Sequence, residues 1–199
     1  VDQGSSVAYS YESIVSSTVT GKRYRLTTPD PSPVSPYTVD GTTNTAVTVT
    51  GTYVPQFAVT FTQSGIDCSD VLSSDTVAMI DGSSKTCSDL SDGGYVVWID
   101  NNGVVPDYSY TTDVYSSSNP SGKRYHLTGT TGPAAGSTVT TPATIIGNYV
   151  TQWLQTFKTS GVGSDSSGLL ILTVTVDGNP PQTYNGPPDA NGVVAAIWV

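Results

Sequence analysis

The chain has 199 residues and a formal net charge of −9, and only 12% of its residues are charged, about half the usual share. Seven Lys and Arg are too few for phosphate neutralisation, so nucleic acid and anionic membrane surfaces are poor partners. Fifteen Asp against the single Glu12 argue for turns over helices, and apolar runs such as residues 169–172 fall far short of the roughly 20 residues a spanning helix needs.

In chain order the predicted elements are short strands with period-two alternation. Val7, Tyr9 and Tyr11 share one face. "GKRYRLT" (residues 21–27) enters a strand in which Tyr24 and Leu26 alternate with Arg23 and Arg25. Val47, Val49, Gly51 and Tyr53 form the next face, followed by Phe57, Val59 and Phe61. Residues 95–99, "YVVWI", are apolar on both faces, as a central strand is. Further along, Tyr125 and Leu127, then Trp153, Gln155 and Phe157, then Leu170, Leu172, Val174 and Val176 continue the alternation. Breakers separate the runs: "TPDPSP" (28–33), "DGSS" (81–84), "SDGG" (91–94), "DNNG" (100–103), "DGNPP" (177–181) and "NGPPDANG" (185–192).

The same elements occur twice. "GKRYHLT" (122–128) repeats residues 21–27 in six of seven letters. Residues 47–65 align with 143–161 at an offset of 96, "IDG" (80–82) with "VDG" (176–178), "WID" (98–100) with the closing "WV", and "AYSY" (8–11) with "DYSY" (107–110). A unit of about 98 residues stated twice matches the common size of one domain. Each copy offers six or seven strands, so the expected fold is all-β: two tandem Ig-like sandwiches over residues 1–98 and 99–199. Val1-Asp2 occupies the repeat position of Ile99-Asp100, which Val199 also reaches, so the sequence can be laid head to tail with itself.

Cys68 and Cys87 are matched in the second copy by Ser164 and Thr183, hydroxyls at both places. Paired replacement points to a disulfide in the first copy, with two separate buried thiols as the plainer alternative. A bridge implies an oxidising compartment. The only histidine, His126, stands where the first copy has Arg25, which suits a solvent-facing strand residue better than a catalytic base. No zinc spacing or phosphate loop is present, and no enzyme is expected. Calcium is the one cofactor considered, because Asp67, Asp70, Asp89 and Asp92 flank the cysteine loop and Asp100 precedes "NNG"; Asp in a turn is otherwise a turn former. Lys22 and Lys123 are read as strand-entry residues, or as donors to a lateral salt bridge or an isopeptide crosslink.

The pattern "GKRYxLTGxxGPA…VTxPATIxGNYVTQW…TFxxSG", followed by "VDG" and a closing "W[IV]", resembles the tandem Ig-like repeats of large secreted surface proteins of prokaryotes, archaeal ones especially. That resemblance implies a structural role in a stalk, surface layer, adhesin or fibre, with no catalytic residues to carry over. The leading expectation is a filament or surface-layer subunit that polymerises with copies of itself. Ser6, Val7, Ala8, Tyr9 and Tyr11 would form a donated strand, set beside residues 193–199 with Val194, Ile197, Trp198 and Val199 as the receiving edge. A slice of a covalent repeat array and a self-contained monomer are the other arrangements. An adhesin or carbohydrate-binding module acting on surface glycans is the alternative function, and a β-sandwich hydrolase is the third.

Overall fold

The computed structural model describes residues 4–27, 35–38 and 48–199. The Pro-rich turn at 28–33, Val47 and the terminal Val1-Asp2 lie outside them. The first copy contributes β1 (Ser6–Val7), β2 (Ile14–Ser16), β3 (Lys22–Leu26), β4 (Tyr37–Thr38), β5 (Tyr53–Ser64), β6 (Ala78–Ile80), β7 (Ser83–Lys85) and β8 (Tyr95–Asp100). The second contributes β9 (Tyr108–Tyr110), β10 (Asp113–Tyr115), β11 (Lys123–Thr131), β12 (Ala143–Lys158), β13 (Leu170–Val174), β14 (Gln182–Asn185) and β15 (Val193–Trp198). Among the described residues the helical pieces are two single 3-10 turns, Ser88–Leu90 and Ser164–Ser166. The chain is all-β, as its Asp-rich turns and alternating strands require.

The two copies build the same ladder, residue for residue. In the first, β2 pairs with β3, β3 with β5 and β5 with β8; Val15 lies opposite Tyr24, Leu26 opposite Tyr53, and Ala58 opposite Trp98. In the second, β10, β11, β12 and β15 repeat this, with Val114 opposite Tyr125, Leu127 opposite Tyr149, and Leu154 opposite Trp198. The ladders join into one sheet because β12 runs parallel to β5. The strands are staggered: Ala143, the counterpart of Val47, lies opposite Val59, and Asn148 lies opposite Ser64. The late half of one long strand therefore holds the early half of the other.

A second link crosses the copies. The β6–β7 hairpin of the first copy gains β9 of the second as a third strand, with Ala78 opposite Tyr110 and Ile80 opposite Tyr108. The second copy's hairpin, β13–β14, is two-stranded among the described residues and meets the counterpart of β6, residues 174–176, only at Val174. The buried core follows these links. Val59, Phe61, Val77, Ile80 and Leu90 come from the first copy, and Val105, Tyr110, Val114, Tyr125, Ile145 and Tyr149 from the second. One continuous core thus spans residues 57–149 and crosses the expected division between residues 98 and 99. Each Val, Ile, Leu or Phe fully buried there contributes about 1.5–3 kcal/mol.

Candidate functional site at the junction of the repeats

The junction is built by two tyrosines that reach from the second copy to the backbone of the first. Tyr110 Oη donates to the carbonyl of Thr62 at 2.7 Å and lies 3.2 Å from that of Ile145. Tyr149 Oη donates to the carbonyl of Thr111 at 2.8 Å and lies 3.3 Å from that of Val77. The Thr111 N–H donates to the same Val77 carbonyl at 2.9 Å. Tyr110 lies flat on Gly147, where any Cβ would collide with its ring. Tyr108 stacks edge-on against Phe61 with centroids 5.5 Å apart. Burial pushes the Tyr110 phenol up to about 12 and raises Tyr149 as well, so both remain neutral donors.

Beside them Asp70 of the first copy collects four donors from the second. Lys123 Nζ is 2.7 Å away, Ser118 Oγ 2.6 Å, Ser116 Oγ 2.8 Å and Tyr125 Oη 3.0 Å. The Lys123 ammonium, then the two hydroxyls, hold this carboxyl well below the usual range, and Asp70 in turn raises Lys123. Lys123 therefore makes an ion pair with Asp70, the salt-bridge role considered for it. Its neighbour Arg124 stays within its own copy: Nε donates to Gln152 at 2.9 Å, and the guanidinium lies 4.5 Å from the Trp198 ring centroid. Arg23 does the same with Gln56 at 2.8 Å and Trp98 at 4.3 Å. The repeated Gly-Lys-Arg-Tyr thus serves two ends: Arg clamps the closing Trp strand of its own copy, and Lys and Tyr couple to the copy before it.

The first copy carries the same tyrosine apparatus, and among the described residues no other repeat covers it. Tyr11 Oη donates to the Val49 carbonyl at 2.9 Å, and Tyr53 Oη to the Glu12 carbonyl at 2.8 Å. Tyr11 lies over Gly51 as Tyr110 lies over Gly147. Tyr9 and Tyr11 meet edge-on at 6.4 Å and 74°, and Tyr108 and Tyr110 at 6.2 Å and 76°. The burial differs. Tyr110 is 7% exposed and Tyr11 36%; Val114 is 3% exposed and Val15 40%. Lys22 sits 5.0 Å from the Tyr24 ring, as Lys123 does from Tyr125, but no described carboxylate pairs with it.

The second copy presents exposed apolar side chains that no described residue covers. Trp153, Leu169 and Leu170 are exposed, whereas Phe57, the counterpart of Trp153, is buried. A groove of about 150 Å³ opens between residues 174–176 and β15, lined by Val174, Val176, Gln182, Ile197 and Trp198. Its first-copy counterparts Ala78 and Ile80 are fully enclosed.

Of the expected assembly residues, Ser6 and Val7 pair within their own copy, opposite Thr38 and Tyr37. Ala8 follows β1 as irregular backbone, and Tyr9 and Tyr11 belong to the uncovered tyrosine cluster. Val194, Ile197 and Trp198 lie on β15, whose Trp198 sits opposite Leu154, while Val199 exchanges backbone hydrogen bonds with Trp153 at 2.8 and 3.1 Å. The in-chain counterpart of residues 9–11 does not lie along β8, the counterpart of β15; it lies along β6.

Cys68 and Cys87 form the disulfide. The aspartates considered for calcium are separately engaged. Asp67 caps Ser69, Asp89 accepts from the Thr86 N–H, Asp100 takes Arg25 and Gln56, and Asp92 occupies a turn at φ 46°. Among the described residues no three His, Cys, Asp or Glu side chains converge on one point. His126 Nδ1 lies 2.7 Å from Asp113 on the sheet surface. Among the described residues no helix is long and apolar enough to cross a membrane. No family model matches the sequence, and neither a curated protein nor a solved structure matches it.

Proposed function

We propose that the chain is a structural subunit of an extracellular filament or cell-surface layer, made of two Ig-like repeats and assembling head to tail with copies of itself. One observation carries this: a single closed core lies between the copies, and each end presents one uncovered half of that same core. A heterologous contact that does not close on itself propagates into a fibre. The disulfide favours an oxidising environment, which supports extracellular placement. Electron microscopy of the purified chain over a range of concentrations tests the proposal. Uniform filaments that disappear when residues 1–11 are removed support it; particles of single-subunit size at every concentration refute it.

A glycan-binding module is the second reading. A cleft of about 340 Å³ is lined by Asp75, Asp113 and the exposed Tyr115, an aromatic edge beside carboxylates of the kind sugars use. Specific hits on a glycan array would favour it.

A further inference from the structure

We propose that the contact between subunits repeats the in-chain junction strand for strand: residues 9–11 of one subunit add antiparallel to residues 174–176 of the subunit before it, while residues 48–52 lie parallel to residues 156–160. This inference rests on the head-to-tail reading and supplies its geometry. The β2–β3–β5–β8 and β10–β11–β12–β15 ladders pair at corresponding residues, and the junction is transposed on that correspondence from one pair of copies to the next; the hairpins differ by one residue in register, Ala78 lying opposite Lys85 and Val174 opposite Gln182. Ala78 opposite Tyr110 becomes Val174 opposite Tyr11, and Ile80 opposite Tyr108 becomes Val176 opposite Tyr9. Thr144 opposite Thr60 becomes Thr48 opposite Thr156, and Asn148 opposite Ser64 becomes Thr52 opposite Ser160.

Among the described residues β13–β14 has two strands, and residues 175–176 continue from the end of β13 as irregular backbone. Past Trp153, where β11 ends, β12 has no described strand on the edge that β5 gives to β12 in the first copy. The Tyr9 N–H turns inward to Ser35 Oγ at 3.0 Å. Backbone groups alternate in direction along a strand, so those of Ser10 face the opposite edge. Tyr11 and Tyr53, each with one carbonyl partner, would gain the carbonyls of Lys158 and Thr173, as Tyr110 and Tyr149 hold those of Thr62 and Val77. Phe157 would meet Tyr9 as Phe61 meets Tyr108. This places the donated segment on β13, away from the edge of residues 193–199 expected from the sequence. Ile197 and Trp198 still take part, as the wall of the groove beside it.

The transposed contact is weaker than its template in two respects. The disulfide has no second-copy counterpart, and Ser166 stands at the position of Asp70, leaving Asp165 as the adjacent carboxylate for Lys22.

Cysteine pairs across the contact test the register. Ser10 and Thr175 are both exposed and would lie opposite each other at a Cα separation of about 5.5 Å, within disulfide range. A chain carrying Ser10→Cys is mixed with one carrying Thr175→Cys and oxidised. A covalent dimer at twice the 20.7 kDa subunit mass is expected on a non-reducing gel. Thr50→Cys with Lys158→Cys provides a second, independent pair, and Met79→Cys with Ser109→Cys within one chain is the positive control. Pairing of Ser10→Cys with Ala196→Cys in place of Thr175→Cys would overturn the register and leave head-to-tail assembly standing. Wild-type filaments with neither predicted crosslink would overturn the inference alone. Absence of both filaments and crosslinks would overturn the inference and the function together.

Discussion

The middle of the molecule and its two ends are made of the same parts in different company. In the middle, Tyr110, Val114 and Tyr149 are covered by Phe61, Val77 and Ile80 of the preceding copy. In the first copy, Tyr11, Val15 and Tyr53 keep the same strand register and tyrosine geometry, and among the described residues Tyr11 and Val15 stand exposed and Tyr53 half-buried. In the second copy, Phe157, Val174 and Val176 are half-buried where their counterparts Phe61, Ala78 and Ile80 are buried. The ladder alone therefore sets where these side chains stand, and the neighbouring copy decides whether they are buried. Edge strands and open apolar faces of this kind are liabilities in a monomer. They become useful when the missing half is supplied by another molecule of the same sequence.

The difference predicts unequal responses to equal substitutions. Phe61→Ala removes a fully buried ring and should destabilise the chain by about 3–5 kcal/mol in chemical denaturation. Phe157→Ala, at the half-open counterpart, should cost the free subunit no more than about 1 kcal/mol yet raise the concentration needed for filaments. Equal costs at the two sites would break the comparison. Replacing Cys68 and Cys87 by Ser should cost about 3 kcal/mol by freeing the loop they close, while filaments still form from folded chains, because neither end contains the bridge. Tyr110→Phe leaves the Thr62 carbonyl without its side-chain donor and should cost about 1–3 kcal/mol; Tyr11→Phe should cost less than half of that in the free subunit.

The pH response is graded. Asp70 and Asp100 are held below their ordinary values, by Lys123 and by Arg25 respectively. Their stabilisation is complete above the unfolded carboxyl value of about 3.9 and fades as pH falls through the lower folded values. Tyr110 and Lys123 are raised, so their contributions hold below about 10 and fade as pH rises through the folded values, about 12 for Tyr110. Thermal melts across pH should show both limbs, and Asp70→Asn should flatten the acid one.

Much of this was legible in the sequence. The repeat, most of the strands and the disulfide follow from spacing and from the paired loss of both cysteines in the second copy; the alternation at residues 9–11, 49–51 and 176 falls on backbone outside the strands, and the turn at 28–33 lies outside the described residues. The arrangement of partners was not. Period-two alternation marks the face a residue occupies and is silent about which strand lies alongside, so β9 joining β6 and the stagger of β12 on β5 carry no local signal. Asp70 was hidden for a similar reason: it sits among aspartates that read as turn formers, and only the fold brings Lys123, Ser116, Ser118 and Tyr125 to it. The expected edge for residues 6–11 is β15, because an apolar run of seven residues reads as a receiving edge, whereas the in-chain counterpart of residues 9–11 lies along β6, a pairing with no local signal.

Hydrogen exchange, measured on dispersed subunits and on assembled material, tests the central claim most directly. Amides in residues 59–64, 78–80, 108–110 and 143–148 should be protected in both states. The amides of Ser10, Thr156, Lys158, Ser160 and Thr175, on the edges away from the bonds already made to Ser35 and β15, should exchange freely in the subunit and become protected on assembly. Protection appearing along residues 193–199 alone, or no change on assembly, would contradict the account.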